Sequence, residues 1–163
     1  MIDKIKSREE ISKLVDELKF KGKIIVTING SFDILHLGHL HILEEAKQQG
    51  DILIIGVNSD NSVREWKKLM NNKDWSKRPY NNEKNRTELL TGFECVDFVT
   101  IFNEVDCLKF VESIKPNVHV NGSEYGEDCI ESSLVKKYGG KIHIIKLKEE
   151  LSTSNLVEKI KNE

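Results

Sequence analysis

The 163-residue chain is short of the features that would place it outside ordinary globular chemistry. Its three cysteines, Cys95, Cys107 and Cys129, are odd in number and form no C-x-x-C pair. That argues against a disulfide framework or a zinc knuckle and for buried or incidental thiols in a reducing compartment. No apolar run approaches the ~20 residues that span a bilayer. Residues 1–10 alternate charges and lack the apolar stretch of a signal peptide, so a soluble, cytoplasmic protein without membrane partners is expected. The formal net charge of -2 supplies no global basic field, so no nucleic-acid partner is expected. Repeats, linkers and low-complexity tracts are also missing, and no all-protein metal cage is visible.

What is present is a rhythm. Hydrophobic residues make up 38% and charged residues 32% of a chain long enough for one real core. Residues 7–20 carry Ile11, Leu14, Val15 and Leu18 at helical spacing behind a Ser7/Glu10 capping-box pattern. Strands are expected at 23–29, 51–57, 96–101, 117–121 and 141–147. Helices are expected at 38–49, 60–68, 82–90, 105–114, 129–138 and 152–161, with a long loop at 69–80. The first two strands are almost continuously apolar, which suggests burial on both faces. The expectation is a single domain over 1–163, with 1–22 as a helical extension. Its fold class is α/β, a Rossmann-like open parallel sheet of about five strands covered by helices on both faces.

The densest chemical signal runs from Asn29 to His39: Asn-Gly-Ser-Phe-Asp-Ile-Leu-His-Leu-Gly-His. It starts where the first strand ends and enters the next helix. Ligands of open α/β sheets bind there, and a helix N-terminus favours an anion. Neither G-x-x-x-x-G-K-[ST] nor a G-x-G-x-x-G after the strand occurs, so this is no P-loop or dinucleotide fingerprint. Instead His36 and His39 stand three apart around Gly38, which leaves room for a ligand to approach the backbone. Two imidazoles so placed can donate to phosphate oxygens and stabilise charge that develops during phosphoryl or nucleotidyl transfer. Ser152, Thr153 and Ser154 start the last predicted helix, and three hydroxyls there suit an anion better than a plain cap does.

Gly30-Ser31-Phe32-Asp33 followed by His36-Leu37-Gly38-His39 resembles the G-x-F-D…H-x-G-H signature of the cytidylyltransferase-like nucleotidyltransferases. The resemblance continues through Val57-Asn58-Ser59-Asp60, Arg78-Pro79, Arg86, Val96-Asp97, Lys115-Pro116-Asn117 and Val120-Asn121-Gly122 to the hydroxyl run. Within that family the chain is most similar to D-glycero-β-D-manno-heptose 1-phosphate adenylyltransferases. The resemblance implies an enzyme that joins a sugar 1-phosphate to the α-phosphate of ATP and releases pyrophosphate. Mg²⁺ would be carried mainly by the triphosphate. It implies that His36 and His39 stabilise the transition state. Asn29, Gly30, Ser31, Phe32, Gly38, Gly122, Ser152, Thr153 and Ser154 would bind nucleotide. Asp33, Lys47, Asn58, Asp60, Arg78 and Arg86 would serve substrate or phosphate, with Asp33 organising the loop or a metal. A homodimer is common among such proteins.

Two departures bear on substrate. Residues 147–151 lack the arginine-threonine-glutamate-glycine run of glycerol-3-phosphate cytidylyltransferases, and Asn121-Gly122-Ser123 replaces the lysine-glycine-glycine usual in the heptose enzymes. The rival readings are a cytidylyltransferase using CTP with glycerol 3-phosphate or another alditol phosphate, and a non-catalytic nucleotide-binding module. A synthetase-like tRNA binder is disfavoured by the short, acidic chain. In the 69–77 loop, Trp75, Lys73 and Lys77 are candidates for sugar contacts, whereas Trp66 is expected only to pack. His41, His119 and His143 are expected to be structural.

Overall fold

The computed structural model describes residues 2–146 and 153–161. Five parallel strands form one sheet: β1 (Ile25–Gly30), β2 (Ile52–Asn58), β3 (Phe98–Phe102), β4 (Val118–Gly122) and β5 (Lys141–Ile145), in the order β3-β2-β1-β4-β5. The helices are α1 (Arg8–Phe20), α2 (Leu37–Lys47), α3 (Asp60–Leu69), α4 (Glu83–Thr91), α5 (Leu108–Ile114), α6 (Ser132–Lys137) and α7 (Thr153–Lys161). The expected doubly covered parallel sheet is therefore present. Among the described residues no helix is long and apolar enough to cross a membrane.

The strand alternation divides the core. Val26 and Ile28 of β1 and Leu53, Ile55 and Val57 of β2 pack with Ile42, Leu43 and Ala46 of α2 and Leu90 of α4. Ile25 and Ile54 face the other way, against Ile11 and Val15 of α1, Phe110 and Val111 of α5, and Val135 of α6. A period of two over both faces explains why these strands read as unbroken apolar runs. Gly56 sits in β2 because a Cβ there would lie 2.8 Å from the Phe110 ring. At the N-terminus the capping box forms as the sequence suggests, with Glu10 N–H donating to Ser7 Oγ and Ser7 N–H to the Glu10 carboxylate. Arg8 then forks onto Glu104 at 2.8 and 2.6 Å, and that hydrogen-bonded guanidinium holds the Glu104 carboxyl down at about 2.

Several element ends move. The first strand starts later than residue 23, because Ile24 N–H is taken by the Asp51 carboxylate. The fourth inter-strand helix starts at Leu108, after Asp106 accepts the Leu108 N–H in an Asx turn. Residues 129–131 stay outside α6, with Glu131 turned onto Asn121. Inside the long loop, Trp75–Lys77 form a short 3₁₀ turn, and the Arg78–Pro79 peptide is cis.

Arg86, expected to reach phosphate, is fully buried on α4. Its Nε donates to the Asn81 carbonyl at 2.9 Å, Nη1 to the Ser31 carbonyl, and Nη2 to the Asn58 carbonyl at 2.7 Å and Asp60 Oδ1 at 2.8 Å. One planar fork thus joins the ends of β1 and β2 to the loop entering α4, a task for arginine and not for a point-charge lysine. Asp60, expected on the substrate side, is turned inward as its ion partner. Arg86→Met should leave three carbonyls and a carboxylate without their donor. The expected loss is about 3–5 kcal/mol. For a domain of this size that is a fall of about 6–20 °C in melting temperature by calorimetry. An unchanged melting temperature would contradict the bracing role.

Candidate active site

The sheet order places β1 at its centre, where connections from β1 run outward to β2 on one side and a later crossover brings in β4 on the other. That reversal opens a crevice at the C-terminal ends of β1 and β4. The chain leaves β1 through Gly30 and turns sharply. Phe32 takes a left-handed backbone (φ 47°), an uncommon state for a bulky residue that costs on the order of 1–3 kcal/mol. Gly30 permits the fold-back, since a Cβ on it would stand 3.3 Å from the Phe32 ring. The turn is held from outside. Asp33 Oδ1 accepts the N–H groups of Tyr80 and Asn81 at 2.7 and 3.0 Å, and Asn81 Nδ2 donates to the Asp33 carbonyl at 2.7 Å. Asp33 Oδ2 faces Arg78 Nε at 3.0 Å, with both side chains almost wholly buried. Asp33 therefore organises the loop through Oδ1 and its carbonyl, while Oδ2 lies beside Arg78 as an ion pair without a hydrogen bond.

His36 caps α2 and His39 follows one turn on. Their ring centroids are 4.0 Å apart and the planes are inclined at 40°, with Phe32 buttressing His39 at 5.5 Å. The backbone N–H of His36 donates to His39 Nδ1 at 3.3 Å. In that state the His39 proton sits on Nε2, which leaves Nε2 as an outward donor. Burial, and then the neighbouring His36, lower the His39 pKa to about 4. Burial lowers His36 as well. The pair is thus neutral and hydrogen-bond-donating at neutral pH.

Both rings line a cleft of about 290 Å³ whose floor is Asn29, Gly30 and Ser31 and whose walls include Gly38, Arg78 and Gly122. A second cleft, about 420 Å³, adjoins it through Asn29, Gly30, Ser31 and Asn121 and extends past Asn58, Trp66 and Cys107. Arg78 reaches the first cleft while paired to Asp33, and Tyr80 lies 4.9 Å from its guanidinium carbon. Asn58 lines the second cleft and donates to Ser62 Oγ at 2.8 Å. Over Gly122, the position of a Cβ is occupied by the Glu124 carboxylate.

Not every expected residue arrives. Lys47 lies at the far end of α2, bonded to the Asp97 carboxylate and the Asp51 carbonyl at 2.5 Å each, and lines neither cleft. It neutralises Asp97, whose other contact is the Leu53 N–H. Arg86 and Asp60 brace the cleft floor from below. The two tryptophans exchange roles: Trp66 lines the second cleft, whereas Trp75 lies beneath Lys68 at 5.1 Å, outside both. Ser152 lies outside the described residues. Thr153 and Ser154 open α7.

Sequence reading missed Lys67. It lines both clefts from the last turn of α3, and burial followed by the nearby Arg78 charge lowers its pKa. Its only sequence signal is a basic last turn, a common dipole feature that does not mark a site. Glu124, which lines both clefts, was missed for the same lack of a local motif.

Comparisons with known proteins place the chain in a family. The cytidylyltransferase-like family model matches residues 27–161. The bifunctional protein HldE of Geobacter metallireducens is 38% identical over 158 residues, 96% of this chain and 31% of that protein, so the chain spans about a third of the relative's length. The crystal structure of a lipopolysaccharide core biosynthesis protein from Thermoplasma volcanium is 33% identical at TM-score 0.57, covering 78% of this chain and 98% of that one. A Francisella tularensis pantoate-beta-alanine ligase, 15% identical at TM-score 0.61 over 98% of this chain and 79% of its own, shares the fold. With the HxGH imidazoles set side by side at the sheet's crevice, the chain belongs to the cytidylyltransferase-like family and is a nucleotidyltransferase.

Proposed function

We propose that the chain transfers the adenylyl group of ATP to a sugar 1-phosphate, D-glycero-D-manno-heptose 1-phosphate. The carrying observation is the neutral, paired His36 and His39 lining the first cleft, which shares Asn29, Gly30, Ser31 and Lys67 with the second. The first cleft takes the triphosphate and the second the acceptor. A non-bridging oxygen of the sugar phosphate forms the new bond to the α-phosphorus. The bond from that phosphorus to the bridging oxygen breaks, and its electron pair leaves on pyrophosphate. The nucleophile is already anionic, so no strong general base is required, and positioning with charge stabilisation dominates. His39 Nε2–H, the His36 ring, Lys67 and Arg78 are the groups that meet the oxygens gaining charge. Thr153, Ser154 and Ser152 bind the β- and γ-phosphates.

Mg²⁺ would supply charge neutralisation on the triphosphate and would be carried mainly by the phosphates, in keeping with its usual reliance on few protein ligands. The relatives supporting the heptose reading are the HldE protein and the lipopolysaccharide core biosynthesis protein. Both fit a cytoplasmic biosynthetic step.

Pyrophosphate release should appear with ATP and heptose 1-phosphate together and not with ATP alone. Faster release with CTP and glycerol 3-phosphate would replace this reading by the cytidylyl one, and silence with every acceptor would leave a binding module. His39→Ala should lower turnover by ~10²-fold or more with the fold intact by circular dichroism. Near-normal turnover would remove the histidine from catalysis.

The lowered pKa sets a further expectation. The folded value of about 4 lies below the ordinary 6.5, so the His39 contribution to stability is complete above about 6.5 and is lost as pH falls toward 4. By proton NMR the free protein's His39 ring should titrate near 4, and nucleotide should move it upward as the triphosphate charge favours imidazolium. A free-protein value at or above 6.5 would contradict the buried-donor geometry.

A further inference from the structure

On the opposite face of the sheet from the imidazole pair, three potential metal ligands converge. Cys107 at the start of α5, His119 on β4 and Glu131 just before α6 are all buried, and their ligand atoms lie within 4.8 Å of one another. His119 is fully buried. Its Nδ1 is 2.7 Å from the hydroxyl of Thr27, its register partner on β1. Its Nε2 has no hydrogen bond, and Glu131 Oε1 stands 3.4 Å from it. Bonds of about 2.0–2.1 Å to nitrogen and oxygen at the tetrahedral angle separate two ligand atoms by about 3.3–3.4 Å. The imidazole and the carboxylate are therefore spaced as two ligands of one ion are, and poorly set for bonding each other.

We propose that Cys107, His119 and Glu131 form a binding site for a divalent cation of the zinc class, with the fourth coordination position open to the second cleft. Cys107 and Glu131 both line that cleft. A thiolate, a neutral imidazole and a carboxylate suit a borderline-soft ion, and their summed charge cancels its two positive charges inside the core. The surrounding groups match what ligating residues need. The Thr27 hydroxyl beside Nδ1 can accept Nδ1–H, the tautomer that leaves the Nε2 lone pair for a metal. Asn121 Nδ2 donates to Glu131 Oε1 at 2.5 Å and orients the carboxylate.

A bound cation would take Cys107 as its thiolate, and one proton would pass to solvent per ion taken up. The site ties the segments that lead into α5 and α6 to β4, and those segments line the second cleft. No local motif announces it, since eleven residues separate each ligand from the next.

Cobalt(II) is a spectroscopic probe for such a site and needs no substrate or turnover, so the result is independent of the proposed reaction. Chelator-stripped, reduced full-length protein titrated with Co²⁺ should develop the visible bands of a tetrahedral ion and a thiolate-to-cobalt charge-transfer band. Both should saturate at one equivalent and be displaced by Zn²⁺. Cys107→Ser should abolish the charge-transfer band, while Cys129→Ser and His39→Ala retain it. Thr27→Val should weaken the affinity about 10–100-fold. If Cys107→Ser does not fold, Glu131→Gln serves in its place, with loss of one-equivalent saturation as the readout. Zn²⁺ should also raise the melting temperature of the unaltered chain. No charge-transfer band with the unaltered chain, a band that survives Cys107→Ser, or one that vanishes in His39→Ala would overturn the proposal.

Discussion

The buried guanidinium of Arg86 is the constraint on which the geometry of the cleft depends. β1 and β2 end side by side, and the carbonyls of Ser31, just past β1, and of Asn58, the last residue of β2, both turn to one donor. A buried carbonyl without a donor costs about 1–3 kcal/mol. Arg86 meets the carbonyls of Ser31, Asn58 and Asn81 at once and takes Asp60 as its counter-charge. Asp33 performs the matching task from above, tying the first turn to the loop that enters α4. With both anchors in place, the strained Phe32 turn is over-determined, and such local strain persists only under that condition.

On this base the imidazole pair is held in place before any ligand arrives. His39 is fixed by a backbone N–H on one ring nitrogen, and Phe32 packs near its ring. Its depressed basicity keeps it a neutral donor, so it offers a directed N–H and not a diffuse positive charge. Full cations come from elsewhere: Lys67 arrives from α3 and Arg78 from the loop before α4. Under the proposed reaction, the site would divide labour between a preorganised dipole at the reacting centre and charges around the triphosphate, an arrangement that favours transition-state charge in a partly desolvated cleft.

The two faces of β4 serve different ends. Val118 and Val120 join the apolar layer beneath α2, whereas His119 and Asn121 point to the α5–α6 side. There the polar side chains are tied to Thr27 and Glu131 in an otherwise hydrophobic layer. Asn121 is committed to the Glu131 carboxylate and lines both clefts, so the wall they share is neutral at that position.

The sequence by itself determined the alternation of strands and helices, the doubly buried central strands and the position of the imidazole pair, because each depends on spacing within a dozen residues. Apolar period, a capping box and an H-x-G-H segment are local, and local geometry follows from chain stereochemistry. Only the tertiary structure decided the fates of the single charged residues. Arg86 looked like a phosphate ligand and is a buried brace; Lys47 lies at the wrong end of its helix and neutralises Asp97. Lys67 was indistinguishable from a solvated helix end, and Cys107, His119 and Glu131 were three unrelated residues until β4 set them together. A long side chain can reach any of several partners, and which one it finds depends on elements brought close by the sheet order, not on its neighbours along the chain.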